Sequence, residues 1–231
     1  KLLALLHEDD SVRVWDLVKG VQRPTIKSTG QDFKRVATVS KANLIVTGGE
    51  KGEINVYHAL TGKLKRTMSS NNGEVMALSI GKNETKLLAA YENGSIIVWD
   101  LSKFVKLSEI KTPHDDEIKF IVIEDNTFIV AGEGGFVEKW NIQKAEKITA
   151  LTQEVEDVIG LWANEATGQA IFMDKDGILQ QAGQSSSVLG KGFVDDLISI
   201  TINDDLSKVA VSTEDNNIKI HIGDKAVEID P

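Results

Sequence analysis

Apolar and polar residues alternate along most of this chain with a period of two, the spacing of strands with one face buried. In one stretch the alternating runs are "EVMALSI" (74–80), "TKLLAAY" (85–91), "SIIVWDL" (95–101) and "KLSEIK" (106–111). The next stretch repeats them as "IKFIVI", "TFIVAG", "FVEKWNI" and "AEKITAL". Each run is short, and Gly, Asn or Asp stands between runs, so four strands joined by tight turns are predicted in each stretch. "LISITI" (197–202) is predicted to be a strand for the same reason.

The pattern returns at a fixed distance. An aromatic or its stand-in falls at Trp15, Tyr57, Trp99, Trp140, Ala182 and His221, with steps of 39 to 42 residues. Five positions earlier stand Asp10, Gly52, Gly94, Gly135, Gly177 and Asn216. Gly, Asn and Asp tolerate the left-handed conformation of a tight hairpin. Four short strands per period of roughly 41 residues is the signature of a β-propeller blade. The fold expected is all-β, a propeller of four-stranded antiparallel blades over residues 1–231. Pro24 and Pro113 fall at or near connections between blades. "KLLALLHEDD" reads as a second strand, so about five and a half blades are present, and a seven-bladed propeller extending beyond this segment is the expectation.

"LLHEDDSVRVWDL" (5–17) and "LAAYENGSIIVWDL" (88–101) resemble the WD-repeat family. The resemblance extends over essentially the whole chain. Trp15-Asp16 and Trp99-Asp100 carry the Trp-Asp pair itself; Tyr57-His58, Trp140-Asn141 and Ala182-Gly183 depart from it, and the family's Gly-His pair survives only as Pro113-His114. This is similar to a divergent member. The resemblance implies a non-enzymatic scaffold that docks other proteins within a larger intracellular assembly, cytoplasmic or nuclear.

Composition narrows the chemistry. There is no cysteine, which removes disulfides, thiolate metal sites and cysteine catalysis. No apolar run reaches the roughly 18 residues of a membrane helix. The net charge of −9 argues against general phosphate-backbone binding. "MDKDG" (173–177) lacks the calcium-loop spacing and reads as a hairpin turn on Gly177. "GQSSSVLGKG" (183–192) lacks the phosphate-loop spacing. His7, His58, His114 and His221 lie in different repeats and cannot be brought together as ligands from the sequence. No catalytic residue, cofactor or metal is assigned. Trp162 ends a first strand where an aliphatic is usual; it either fills the core beside the small Ala182 or anchors a partner.

Charge then separates by loop class. In a propeller of this family, the turns from second to third strand share one end with the connections between blades. Two positions before the turn residue stand Glu8, Glu50, Glu92, Glu133, Lys175 and Glu214. The connections add Asp115, Asp116, Asp195 and Asp196, among other acids. The opposite end carries Lys19, Lys63, Lys103, Lys144 and Lys225 in its third-to-fourth-strand turns and Lys41, Lys82, Lys86 and Lys208 in its first-to-second-strand loops, with acids such as Glu84, Asp204 and Asp205 among them. The acidic end is therefore the candidate docking surface, suited to a basic peptide or tail. Two alternative classes are a quinone-type cofactor propeller, which "GEINVYHALTGK" (52–63) resembles, and an RNA-associated assembly subunit using the lysine end.

Overall fold

The structure is a computed structural model, and it describes residues 1–231 apart from 29, 115–116, 125, 152–154, 164–169, 183–186, 191–196, 204–207, 214–217, 223–224 and 230–231. The described residues form strands and turns, with no helix.

Six antiparallel sheets follow one another along the chain. The first holds β1 (Leu2–Leu6), β2 (Ser11–Asp16) and an edge strand in two pieces, β3 (Val21–Gln22) and β4 (Ile26–Lys27), both paired to β2. The second runs β5 (Phe33–Val39), β6 (Leu44–Gly49), β7 (Glu53–His58) and β8 (Leu64–Ser69). The third runs β9 (Val75–Ile80), β10 (Lys86–Tyr91), β11 (Ser95–Asp100) and β12 (Val105–Lys111). The fourth comprises β13 (Ile118–Glu124), β14 (Thr127–Gly132), β15 (Val137–Asn141) and β16 (Glu146–Ala150). The fifth comprises β17 (Val158–Ala163), β18 (Ala170–Asp174), β19 (Leu179–Gln181) and β20 (Ser187–Gly190). The sixth comprises β21 (Leu197–Ile202), β22 (Lys208–Thr213), β23 (Ile218–Ile222) and β24 (Lys225–Ile229). In sheets two to six each strand pairs with the next in sequence. These are the four-stranded blades expected, and β1 occupies the place of a second strand: Leu3 faces Trp15 as Ile45 faces Tyr57 and Leu87 faces Trp99.

The chain divides into two compact units, Lys1–Phe128 with Trp140–Glu146, and Ile129–Lys139 with Lys147–Pro231. In the first unit the core is built sheet on sheet. Val12, Val14 and Ile26 pack with Phe33, Ile45, Tyr57 and Ala59 of the next sheet. Val46, Ile54 and Val56 pack with Leu87, Ala89, Tyr91 and Trp99 of the one after. Tyr57 and Trp99 are both 4% exposed, whereas Trp15, at the same register with no preceding sheet against it in this unit, is 37% exposed. Trp140 is buried and stacks on Phe128, centroids 6.3 Å apart.

In the second unit Ile171, Met173, Leu179 and Val209 form a core against which Ile159, Ile202 and Trp162 pack. Trp162 is thus partly buried against this core. The small residue that accommodates it is Gly160, where a Cβ would collide with the indole ring. Ala182, expected in a third strand, lies one residue past β19 and donates its N–H to Ala170 O at 2.8 Å.

Two irregularities recur that alternation does not reveal. The register of first on second strand slips by one residue near the start of the first strand: Phe33 to Arg35 in β5, Val75 to Ala77 in β9, Val158 to Gly160 in β17, and Leu197 to Ser199 in β21. Third on fourth strand slips between Val56 and Tyr57, and again between Val98 and Trp99. Each is a β-bulge, which sharpens local twist. In the first sheet Pro24, which has no N–H to give the ladder, stands between β3 and β4.

Candidate functional site

The turn from second to third strand has one geometry in four sheets. Asp10 donates its N–H to His7 O, Gly52 to Gly49 O, Gly94 to Tyr91 O and Gly177 to Asp174 O, at 2.9 to 3.1 Å. Asp10, Gly52, Gly94, Gly135 and Gly177 all have φ between 54° and 77°, as expected for hairpin residues. Asn216 lies outside the described residues. Glycine is required here for a second reason: the connection to the next sheet lies against the turn. A Cβ on Gly52 would stand 2.5 Å from Gly73 O, and one on Gly94 would stand 2.9 Å from His114 O.

In the first unit three of the predicted acidic residues, Glu8, Glu50 and Glu92, stand in these turns. All three are exposed at the turn tips. Glu50 N donates to Asp32 O at 3.2 Å and Glu92 N to Glu74 O at 2.9 Å. Turn and connection therefore present paired acids, one from each. The Glu92 carboxylate also accepts from Glu74 N at 3.4 Å. In the first turn Asp9 accepts from Ser11 Oγ at 2.5 Å, which with the nearby Arg13 holds its carboxyl below the usual value. Basic side chains stand by these turns too: Lys51, whose ammonium is engaged by Gly30 O at 2.6 Å, Arg13 beside Asp9, and the exposed Lys27 and Lys111, whose strands end opposite Ser11 and Ser95.

The second unit treats the same turn differently. Glu133 is half-buried and bridges Asp157 along the backbone. Lys175 pairs with Glu156, which raises the lysine pKa and lowers that of the glutamate; Asp176 and Asp157 add to the rise. Asp174 is 5% exposed; its Oδ1 accepts from Asp176 N and Ile178 N, so "MDKDG" is a capped hairpin turn. Glu214, Asp115, Asp116, Asp195 and Asp196 lie outside the described residues.

The arrangement offers carboxylates, one or two to a turn, to a cationic ligand. Among the described residues no three His, Asp or Glu side chains are placed to share a metal ion. One participant was not legible in the sequence. Gln31 is 5% exposed and ties the connection to the turn, with Nε2 donating to Glu53 O at 3.0 Å and Oε1 accepting from Lys51 N at 3.2 Å. Its amide occupies the space a Cβ on Gly49 would take, so Gln31 and Gly49 are fitted to each other. It stands two repeats before His114, and that spacing is the one signal that could have singled it out.

Comparison with known proteins agrees with this architecture. Residues 27–160 match a family described as Vps8 beta-propeller. The chain is 28% identical over 97 residues to cilia- and flagella-associated protein 52 of Mus musculus, covering 41% of this chain and 16% of that protein. It is 26% identical over 179 residues to a WD repeat-containing protein 55 homolog of Drosophila ananassae, covering 74% and 37%. It is 27% identical over 153 residues to retinoblastoma-binding-like protein E of Dictyostelium discoideum, covering 61% and 28%. The chain thus spans well under half the length of these relatives.

Proposed function

The chain belongs to the Vps8 β-propeller family, as a divergent WD-repeat propeller, and from that membership we propose a non-enzymatic scaffold that docks other proteins within a larger intracellular assembly. We read its six sheets as blades of one propeller, since a single period runs through all of them. The docking end is the acidic one. The observation that carries this reading is the backbone pairing of turn and connection, Glu50 with Asp32 and Glu92 with Glu74, which concentrates carboxylates at one end of the first unit. A rigid framework with loops of one charge sign favours a partner of the other sign and speeds its encounter. The ligand class is a Lys/Arg-rich peptide or tail. The name of the Dictyostelium relative describes a protein that binds another protein, which is the same general class of activity.

The test is Glu8→Gln, Glu50→Gln and Glu92→Gln together, which keeps size and the carbonyl acceptor at Glu92. Each exposed contact contributes about 0–1 kcal/mol, so the loss is a sum over three. Association of a Lys/Arg-rich peptide should slow several-fold at low salt, with the difference shrinking as the screening length falls. Equal on-rates for both proteins at both salt concentrations would reject the acidic end as a docking surface.

A further inference from the structure

The other end of the first unit is built from the turns between third and fourth strands and the loops between first and second. Backbone bonds join the two loop classes: Ala59 N to Asn43 O, Leu101 N to Thr85 O and Ile142 N to Asn126 O, at 2.8 to 2.9 Å. Lys19, Lys63, Lys103 and Lys144 stand exposed there, one to a turn. Beside them are exposed aliphatic side chains. Val18 (79%) and Leu60 (40%) share a place in the turn, and Val21 (45%), Leu64 (51%) and Val105 (45%) each open the edge strand that follows. No large exposed aliphatic occupies the acidic turns among the described residues. At the register of Val21 and Val105 the second sheet has Lys63 and the fourth has Glu146.

Exposed aliphatics scattered singly carry no meaning, but Val21 and Val105 pair with Asp16 and Asp100 at one register, Val18 and Leu60 share another, and Leu64 lies one residue from the first, so each of the three turns has an aliphatic with a lysine near it. Nearby acids are already engaged. The Asp16 and Asp100 carboxylates accept backbone N–H groups within their own turns, and Glu84 accepts Lys41 N at 2.7 Å.

We propose that the third-to-fourth-strand turns of the first three sheets form a second docking surface, for a protein segment that intersperses carboxylates with aliphatic side chains. Charge complementarity assigns the carboxylates to the lysines, and Val18, Leu60 and Val105 supply the apolar contact. The turns lack a stacking platform for nucleic-acid bases: the ring they carry, Phe104, lies 5.2 Å beneath the Lys65 ammonium. A bilayer would draw on the whole basic end, to which the adjoining loops add Lys41, Lys82 and Lys86, but the lysine of each turn stands beside an aliphatic side chain, with Asp16 or Asp100 close by in the first and third. Recognition is therefore of short range and residue by residue, which suits a peptide.

The experiment is selection of a random-peptide display library on the whole chain, followed by fluorescence anisotropy with a synthetic copy of the recovered consensus. The expected consensus is rich in Asp or Glu and in Leu, Ile or Val. Its affinity should fall about tenfold for Lys19→Gln/Lys63→Gln/Lys103→Gln and, separately, for Val18→Ser/Leu60→Ser, in line with the summed worth of a few exposed contacts. Glu8→Gln/Glu50→Gln/Glu92→Gln should leave it unchanged, which separates this surface from the acidic one. All these positions are exposed, and the single change Lys19→Glu should act in the same direction. Recovery of no such peptide, or affinity indifferent to both sets of changes, overturns the proposal. So does lysine-dependent binding of phosphatidylserine vesicles or single-stranded RNA without peptide binding.

Discussion

Single residues set the turns, and backbone conformation is where their chemistry is most easily tested. Gly94 has φ 75° and the carbonyl of His114 packed on it. Gly94→Ala adds a left-handed penalty and a clash, and should lower stability by about 2 kcal/mol in urea unfolding. Ala145 is exposed with φ 54° at the place where Gly20 and Gly62 stand in earlier sheets. Ala145→Gly should raise stability by about 0.5 kcal/mol, the strain relieved less the added freedom of the unfolded chain. Asp16 and Asp100 show what the Trp-Asp pair does here: Oδ1 accepts two backbone N–H groups of the following turn, and Asn141 Oδ1 does the same. Those bonds, to Lys19 first in Asp16 and to Lys103 first in Asp100, hold both carboxyls below the usual range. A depressed folded-state pKa stabilises above the unfolded value and is lost as pH falls through the folded one. The pair Asp16→Asn/Asp100→Asn keeps the acceptor and removes the titration. Its unfolding midpoint should depend less on pH than that of the parent below about pH 3.9, the ordinary aspartate value. The turn glycines were legible because a period of about 41 residues isolates them. Phe104 and Ala145 were not, because nothing in their side chains announces a left-handed backbone.

At the level of strands and sheets, burial differs between positions that look alike in sequence. Trp15 and Trp99 occupy the same register, yet Trp99 packs into the core with Leu87 and Tyr91 while Trp15 is over a third exposed. Trp99→Ala should cost about 3–5 kcal/mol and Trp15→Ala under about 1 kcal/mol in this chain, as thermal and urea unfolding would report. Tyr91, fully buried beside Trp99, has its phenol pushed above the ordinary value by desolvation, with Ser70 and the Trp99 indole acting against the shift. Strand existence and order were legible because alternation and turn residues agree. The bulges were not: an extra residue such as Met76 or Lys65 changes register without breaking the apolar pattern. Trp162 was ambiguous for a related reason. The space it fills is made by Gly160, two residues away on its own strand, and a glycine in a strand can equally mark a bend.

For the whole chain, the net charge of −9 hides a separation within the first unit, carboxylates at one end of its sheets and lysines with aliphatics at the other. That the turns of Glu8, Glu50 and Glu92 dock a partner is a proposal; that these residues stand exposed in them was legible from the repeat. The apolar side chains among the lysines were not, since Leu17, Leu60 and Leu101 look alike in sequence, while Leu101 is buried and Leu60 is exposed. The measurement that bears most directly on a docking propeller with an acidic binding end is amide hydrogen exchange of the whole chain with and without a saturating Lys/Arg-rich peptide. The expected result is slowed exchange at residues 7–10, 49–52 and 91–94 and at the connections around Asp32 and Glu74, with the lysine turns unchanged. Slowing confined to the turns at Lys19, Lys63 and Lys103, or no slowing while the peptide is bound, would contradict it.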